Sequence, residues 1–270
     1  MLTETGPKLL LGLIMVLAAS AHGAAPTATA PATRPAERPW TEKRRLSIPG
    51  SESASWYLLR HPAGHGPTDR PALLIVLHGT DDTAQDMIDF WSRRLTPIPL
   101  LIAAPQGIGK GWRRGDVQAL RAMLDDLHQN IPHDADRVML AGFSAGGSMA
   151  MHLVYAEGLS FAGVAALANY VPPRLTEEQI RARRHVPVFY AVGIKDVNAG
   201  RMQIGLDLLR TCGANVDLYR PQIGHVLDSS VAQAALDWLM DRCDRRVTEI
   251  IQTARGAEDR AADPVRSASG

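Results

Sequence analysis

Two kinds of hydrophobic stretch alternate along the chain. Continuous apolar runs of four to seven residues occur at Pro71–Leu77 (PALLIVL), Leu100–Ala104, Val138–Ala141, Phe161–Leu167 and Val186–Val192, and Val216–Tyr219 (VDLY) reads as a last, more polar strand. Runs of this length, bounded by Gly, Pro and Asp, predict strands buried on both faces. Between them lie stretches of helical period. The clearest is Asp116–His128, where Val117, Leu120, Met123, Leu124 and Leu127 share one face. Weaker helical patterns cover Asp82–Arg94, the residues following Ser144, Glu177–Arg181, Gly200–Thr211 and Ser230–Met240. Ahead of the first buried run, Arg44–Ile48 and Ser55–Arg60 read as strands broken by Pro49-Gly50, an antiparallel edge to the sheet. The alternation predicts an α/β fold: a doubly wound, mostly parallel sheet with helices on both faces and antiparallel N-terminal edge strands.

The ends of the chain follow a different pattern. Lys8 precedes the apolar run Leu9–Ala19, which is short for a membrane span, and Ala19-Ser20-Ala21 offers a small-residue cleavage site. Residues 1–23 therefore read as a signal peptide, and the expected location is secreted or periplasmic. Residues 24–41, rich in Pro, Ala and Thr, read as an extended linker. Residues 42–244 form the expected domain, and the polar stretch 245–270 is expected to be a disordered tail.

Composition narrows the function. In 270 residues, 46% are hydrophobic and 21% charged, with a formal net charge of +1. The arginines are scattered rather than gathered in one segment. No nucleic-acid partner and no stable membrane association after signal cleavage is expected. Cys212 and Cys243 each fall near a helix end, and pairing or burial as thiols both remain open readings.

The chemistry centres on Asp136–Met151, DRVMLAGFSAGGSMAM. A buried strand turns through Gly142-Phe143-Ser144-Ala145-Gly146 and enters a helix. A serine at the tip of such a strained turn has an exposed hydroxyl, and the glycines on either side remove side chains that would clash. The helix aims unpaired N–H groups at the place where an oxyanion would form. A bare G-x-S-x-G arises by chance in roughly one chain in ten of this length, so partners are required.

They follow in order. Ser144 is the candidate nucleophile. Asp196, after the Val186–Val192 strand, is the candidate orienting acid, ahead of Asp217 in a strand and Asp228 too near the histidine. His225, in Gly224-His225 after the last strand, is the candidate base. His133, His152 and His185 are worse placed. His78-Gly79-Thr80 follows the first buried strand, so the N–H groups of Thr80 and Ala145 are the candidate oxyanion donors. Trp112, in a glycine-rich loop, either lines the substrate pocket or anchors the loop. This chemistry requires no cofactor, and no metal-ligand spacing stands out.

With LHGT, AAPQGIGKGW, DRVMLAGFSAGG, GIKDVN and the final GH in hand, residues 73–240 resemble the α/β-hydrolase superfamily. Within it they resemble secreted polyhydroxybutyrate depolymerase/feruloyl esterase-like and phospholipase/carboxylesterase-like serine esterases. The resemblance implies a serine carboxylic-ester hydrolase acting on a small-molecule or oligomeric ester. Thr80-Asp81-Asp82 stands where those depolymerases often carry Cys-Gly-Gly, which favours a small ester over a polymer. The other readings are a polyester depolymerase, a thioesterase or peptidase on the same triad, and a catalytically silent exported binding protein.

Overall fold

The computed structural model describes residues 38–48, 55–93 and 98–262. The expected signal peptide, linker residues 24–37, the Pro49-Gly50 break and residues 263–270 lie outside the described residues. One sheet of eight strands organises the chain: β1 (Trp40–Leu46), β2 (Ser55–His61), β3 (Ala72–Leu77), β4 (Leu100–Pro105), β5 (Val138–Phe143), β6 (Gly163–Leu167), β7 (Val188–Ala191) and β8 (Val216–Tyr219). Their order across the sheet is β1-β2-β4-β3-β5-β6-β7-β8. The β1–β2 and β2–β4 pairs are antiparallel, and every pair from β4 to β8 is parallel.

The apolar runs form strands because both faces are covered. Leu73, Ile75 and Leu77 of β3 enter one core, while Ala72, Leu74 and Val76 enter the other. Period-two alternation sends successive side chains to opposite faces, so the two cores lie on opposite sides of the sheet. One holds helices α2 (Asp116–Asn130), α3 (Ala145–Tyr155), α4 (Glu177–Ala182) and α5 (Ala199–Thr211). The other holds α1 (Ala84–Ser92) and α6 (Ser229–Ala262). The Thr83 hydroxyl caps α1 by accepting from the Asp86 N–H, and the Asp86 carboxylate accepts from the Thr83 N–H in return, closing a capping box.

Two expectations about the boundaries change. Strand β1 starts at Trp40, inside the expected linker. Its sequence WTEKRRL is polar and largely exposed, and backbone pairing with β2 holds it at the edge. Helix α6, expected to stop near Met240, continues to Ala262, so residues 245–262 are helical rather than a disordered tail. That stretch is rich in Ala, Arg and Glu and meets no proline until Pro264. Finally, Cys212 and Cys243 are buried in different cores, so the sheet separates the thiols and a disulfide between them is ruled out.

The sheet has a topological switch at its centre. From β3 the chain moves outward to β4, then returns across β3 to form β5 on the other side. A crevice opens at the carboxyl ends of strands at such a switch. Register places Leu77 of β3 beside Gly142 of β5, so the loop 78–80 and the turn at Ser144 leave the sheet side by side.

Candidate active site

Ser144 sits between β5 and α3 with φ 51° and ψ −113°, in a backbone region that non-glycine residues rarely adopt. Two contacts keep it there. The Ser144 N–H donates to the Leu167 carbonyl at the end of β6 (2.8 Å), and the Ser148 hydroxyl one turn on donates to the Tyr170 carbonyl (2.7 Å). The turn closes so tightly that a Cβ at position 142 would strike the Gly146 carbonyl, and one at 146 the Leu77 carbonyl. Glycine at both positions is therefore a steric requirement.

The base arrives from the far side of the sheet. His225 Nε2 lies 2.9 Å from Ser144 Oγ, and His225 Nδ1 lies 2.8 Å from Asp196 Oδ2. The Asp196 side chain is 0% exposed and that of His225 29% exposed. The other carboxylate oxygen of Asp196 accepts the Asn198 N–H (2.8 Å), and the Phe143 ring packs against the imidazole with centroids 5.5 Å apart. A buried, hydrogen-bonded carboxylate on Nδ1 selects the tautomer with the Nδ1 proton, which leaves Nε2 as acceptor toward the serine hydroxyl.

The loops carrying the acid and the base are laced together. After β7, the Ile194 N–H donates to the Pro221 carbonyl (2.8 Å) and the Lys195 N–H to the Ile223 carbonyl (2.9 Å). The His225 loop after β8 is thereby held to the Asp196 loop by backbone bonds, and the geometry between acid and base does not depend on their side chains alone.

Thr80 and Ala145 both line the cavity in front of Ser144. Ala145 is the first residue of α3, a position whose N–H has no partner within its helix. The Gly79–Thr80 peptide is fixed through the preceding residue: fully buried His78 contacts the Gly79 carbonyl through Nδ1 (2.7 Å) and accepts the Gly107 N–H at Nε2 (3.1 Å). With Nε2 accepting, Nδ1 carries the proton and donates.

Trp112 lines this cavity, and its indole N–H donates to the His78 carbonyl (2.8 Å) while its ring rests 4.7 Å from the His78 ring. His152 also lines this cavity, further along α3 from Ser144, and the remaining histidine and acid candidates lie elsewhere. His133 contacts the Ile131 carbonyl, His152 pairs with Glu157 (3.2 Å) and His185 is exposed. Asp217 binds the Trp238 indole and Arg242, and Asp228 accepts from Ser230 at the start of α6.

Several supports were not singled out in the sequence. The sequence presents His78 as part of His-Gly-Thr; in the structure its side chain staples two loops. Asp116 is 1% exposed and accepts the N–H groups of Ile108 (2.8 Å) and Arg113 (2.6 Å), shaping the glycine-rich loop. No local signal separates Asp116 from an ordinary first-turn helix acid.

Residues 116–240 match the model of the phospholipase/carboxylesterase family. The chain is 28% identical over 217 residues to "Putative esterase NocK" of Nocardia uniformis subsp. tsuyamanensis, a match spanning 68% of this chain and 62% of NocK. It is 28% identical over 214 residues to acyl-protein thioesterase 1 of Neurospora crassa, covering 63% of this chain and 86% of that one. A solved ferulic acid esterase superposes with a TM-score of 0.62 at 18% identity, over 77% of this chain and 99% of that chain, a likeness of fold. With its eight-stranded sheet and its serine elbow the chain has the α/β-hydrolase fold, and residues 116–240 carry the sequence pattern of the phospholipase/carboxylesterase family.

Proposed function

We propose that the protein is an exported serine carboxylic-ester hydrolase acting on small esters. The observation that carries the catalytic part is the unbroken chain from Ser144 Oγ to His225 (2.9 Å) to Asp196 (2.8 Å). Ser144 Oγ attacks the ester carbonyl as His225 Nε2 takes its proton. The negative charge gathers on the carbonyl oxygen between the N–H groups of Ala145 and Thr80. Collapse expels the alcohol, which takes the proton from His225, and leaves an acyl group on Ser144. Water then gives its proton to His225 and attacks the acyl carbon, and collapse returns the proton to Ser144 with release of the acid. Asp196 holds the imidazole and stabilises its positive form without taking the proton.

The cavity in front of Ser144 measures about 550 Å³, within the range for small-molecule sites, and Trp112, Met149, Tyr170 and Pro172 give it apolar walls. This supports a small ester over a polymer chain. Export rests on the apolar run Leu9–Ala19 and the Ala19-Ser20-Ala21 site; no described helix is long and apolar enough to cross a membrane. The Neurospora thioesterase relative favours a second reading, in which the leaving group is a thiol.

Labelling of the mature protein with a fluorophosphonate, followed by peptide mapping, tests the reading without a guess at the substrate. A stoichiometric adduct on Ser144 that is absent from Ser144→Ala is expected. Folded protein that stays unlabelled and turns over neither nitrophenyl esters nor thioesters overturns it.

A further inference from the structure

The cavity in front of Ser144 has a charged wall. Arg113 and Arg114, from the loop after β4, and Arg174, from the loop after β6, all line it, and no aspartate or glutamate does. All three are exposed, and among the described residues none has an ion-pair partner. Elsewhere the described arginines fall in both states: Arg45, Arg60, Arg70, Arg184 and Arg210 also have no ion-pair partner. Arg44, Arg121, Arg137, Arg181, Arg242 and Arg245 each meet a carboxylate at 2.6–3.0 Å. A further guanidinium, that of Arg201, stacks 4.9 Å from the centre of the Tyr170 ring, and Tyr170 is itself part of the cavity wall. Nearby Asp81 is already paired with Lys110 (3.0 Å) and adds no net negative charge.

Unpaired guanidiniums beside apolar walls focus a positive field into the cavity, because the walls screen charge less than water does. The guanidinium fork matches a carboxylate or a phosphate with paired hydrogen bonds. Resting on the serine-esterase reading, we infer that the natural substrate is an anionic ester, whose carboxylate or phosphate is held by Arg113, Arg114 and Arg174 while its ester carbonyl meets Ser144. These three residues are then specificity determinants and take no part in the bond-making steps.

The test compares esters of similar size with and without an anionic group. On the acyl side, para-nitrophenyl hydrogen glutarate is set against para-nitrophenyl methyl glutarate. On the alcohol side, para-acetoxybenzoate and para-acetoxyphenyl phosphate are each set against methyl para-acetoxybenzoate. In at least one pair the anionic ester is expected to show kcat/KM roughly tenfold or more above its neutral partner at low salt, the scale of one charge-assisted contact. The alcohol-side arms show whether carboxylate or phosphate is preferred. The ratio is expected to fall toward one in the triple variant Arg113→Gln, Arg114→Gln, Arg174→Gln, and to shrink in the unmodified protein as salt rises. Turnover of the neutral esters with no anionic preference in any pair overturns the inference and leaves the esterase reading standing. A preference untouched by both salt and the triple variant overturns it as well. If no ester is cleaved and Ser144 stays unlabelled, both readings fall.

Discussion

The His78 imidazole accepts the backbone N–H of Gly107, 29 residues further along the chain, at 3.1 Å. Its other nitrogen holds the Gly79 carbonyl at 2.7 Å. A peptide plane is rigid, so fixing the Gly79 carbonyl also fixes the direction of the Thr80 N–H on the other side of the same bond. His78 is placed to position the Thr80 N–H of the proposed oxyanion site. In His78→Ala, kcat is expected to fall by roughly 10- to 100-fold with KM little changed, somewhat less than the loss on removing an oxyanion donor outright. Partial recovery in His78→Asn, whose amide can still donate, separates positioning from general loosening. A rise in KM with kcat intact would place the effect in substrate binding.

The Asp196 carboxylate accepts from His225 and from the N–H of Asn198. Asp196→Asn keeps the volume and inverts the hydrogen-bond preference, which favours the wrong imidazole tautomer. Turnover of para-nitrophenyl esters is expected to drop by roughly 10⁴-fold, with the circular dichroism melt close to that of the parent. Near-parental turnover would move the acid's role to another residue.

Gly146 lies against the Leu77 and His78 carbonyls, where an added methyl group has no room. Gly146→Ala is expected to destabilise the fold by about 1–3 kcal/mol, the usual cost of overpacking, and to abolish turnover by shifting Ser144. Denaturant unfolding beside an activity assay checks both halves. Parental stability with full activity would show that the elbow can open.

Away from the site, Asp126 on α2 accepts from Arg44 (2.8 and 2.9 Å) and from the Tyr57 hydroxyl (2.5 Å), tying the polar edge strand to the helix beneath. The Arg44 guanidinium, chiefly, holds the Asp126 carboxyl down at about 2, while burial pushes the Tyr57 hydroxyl up. A carboxyl with a lowered folded-state pKa contributes stability above its ordinary value near 3.8, and loses it as pH falls toward about 2. Unfolding followed across that window is expected to show an acid limb that Asp126→Asn flattens. An identical acid limb in the variant would assign it to other carboxylates.

The parts of this molecule legible in the sequence are those whose burial is symmetrical. Strands β3 to β7 are wrapped on both faces, so their apolar runs announce themselves, and the serine turn is legible because its sterics demand glycine at 142 and 146. Strand β1 is not, since pairing rather than burial holds it and its residues are those of a surface. The length of α6 hides behind a charged composition that a helix and a disordered tail share. The triad order was readable because each member follows a strand. The arginine wall was not: Arg113, Arg114 and Arg174 look scattered in the chain, and their loops come together because the parallel strands β4 and β6 end on the same side of the sheet.

The distance along the chain between Ser144 and His225 has a consequence for folding. The base comes 81 residues after the nucleophile, on the loop following the outermost strand, and reaches the serine only when β6, β7 and β8 have been added in turn. A nascent chain that has built the elbow but not the edge holds a serine with no base. Turnover therefore requires that the loop after β8 be docked, and its onset during refolding can come no earlier than that step.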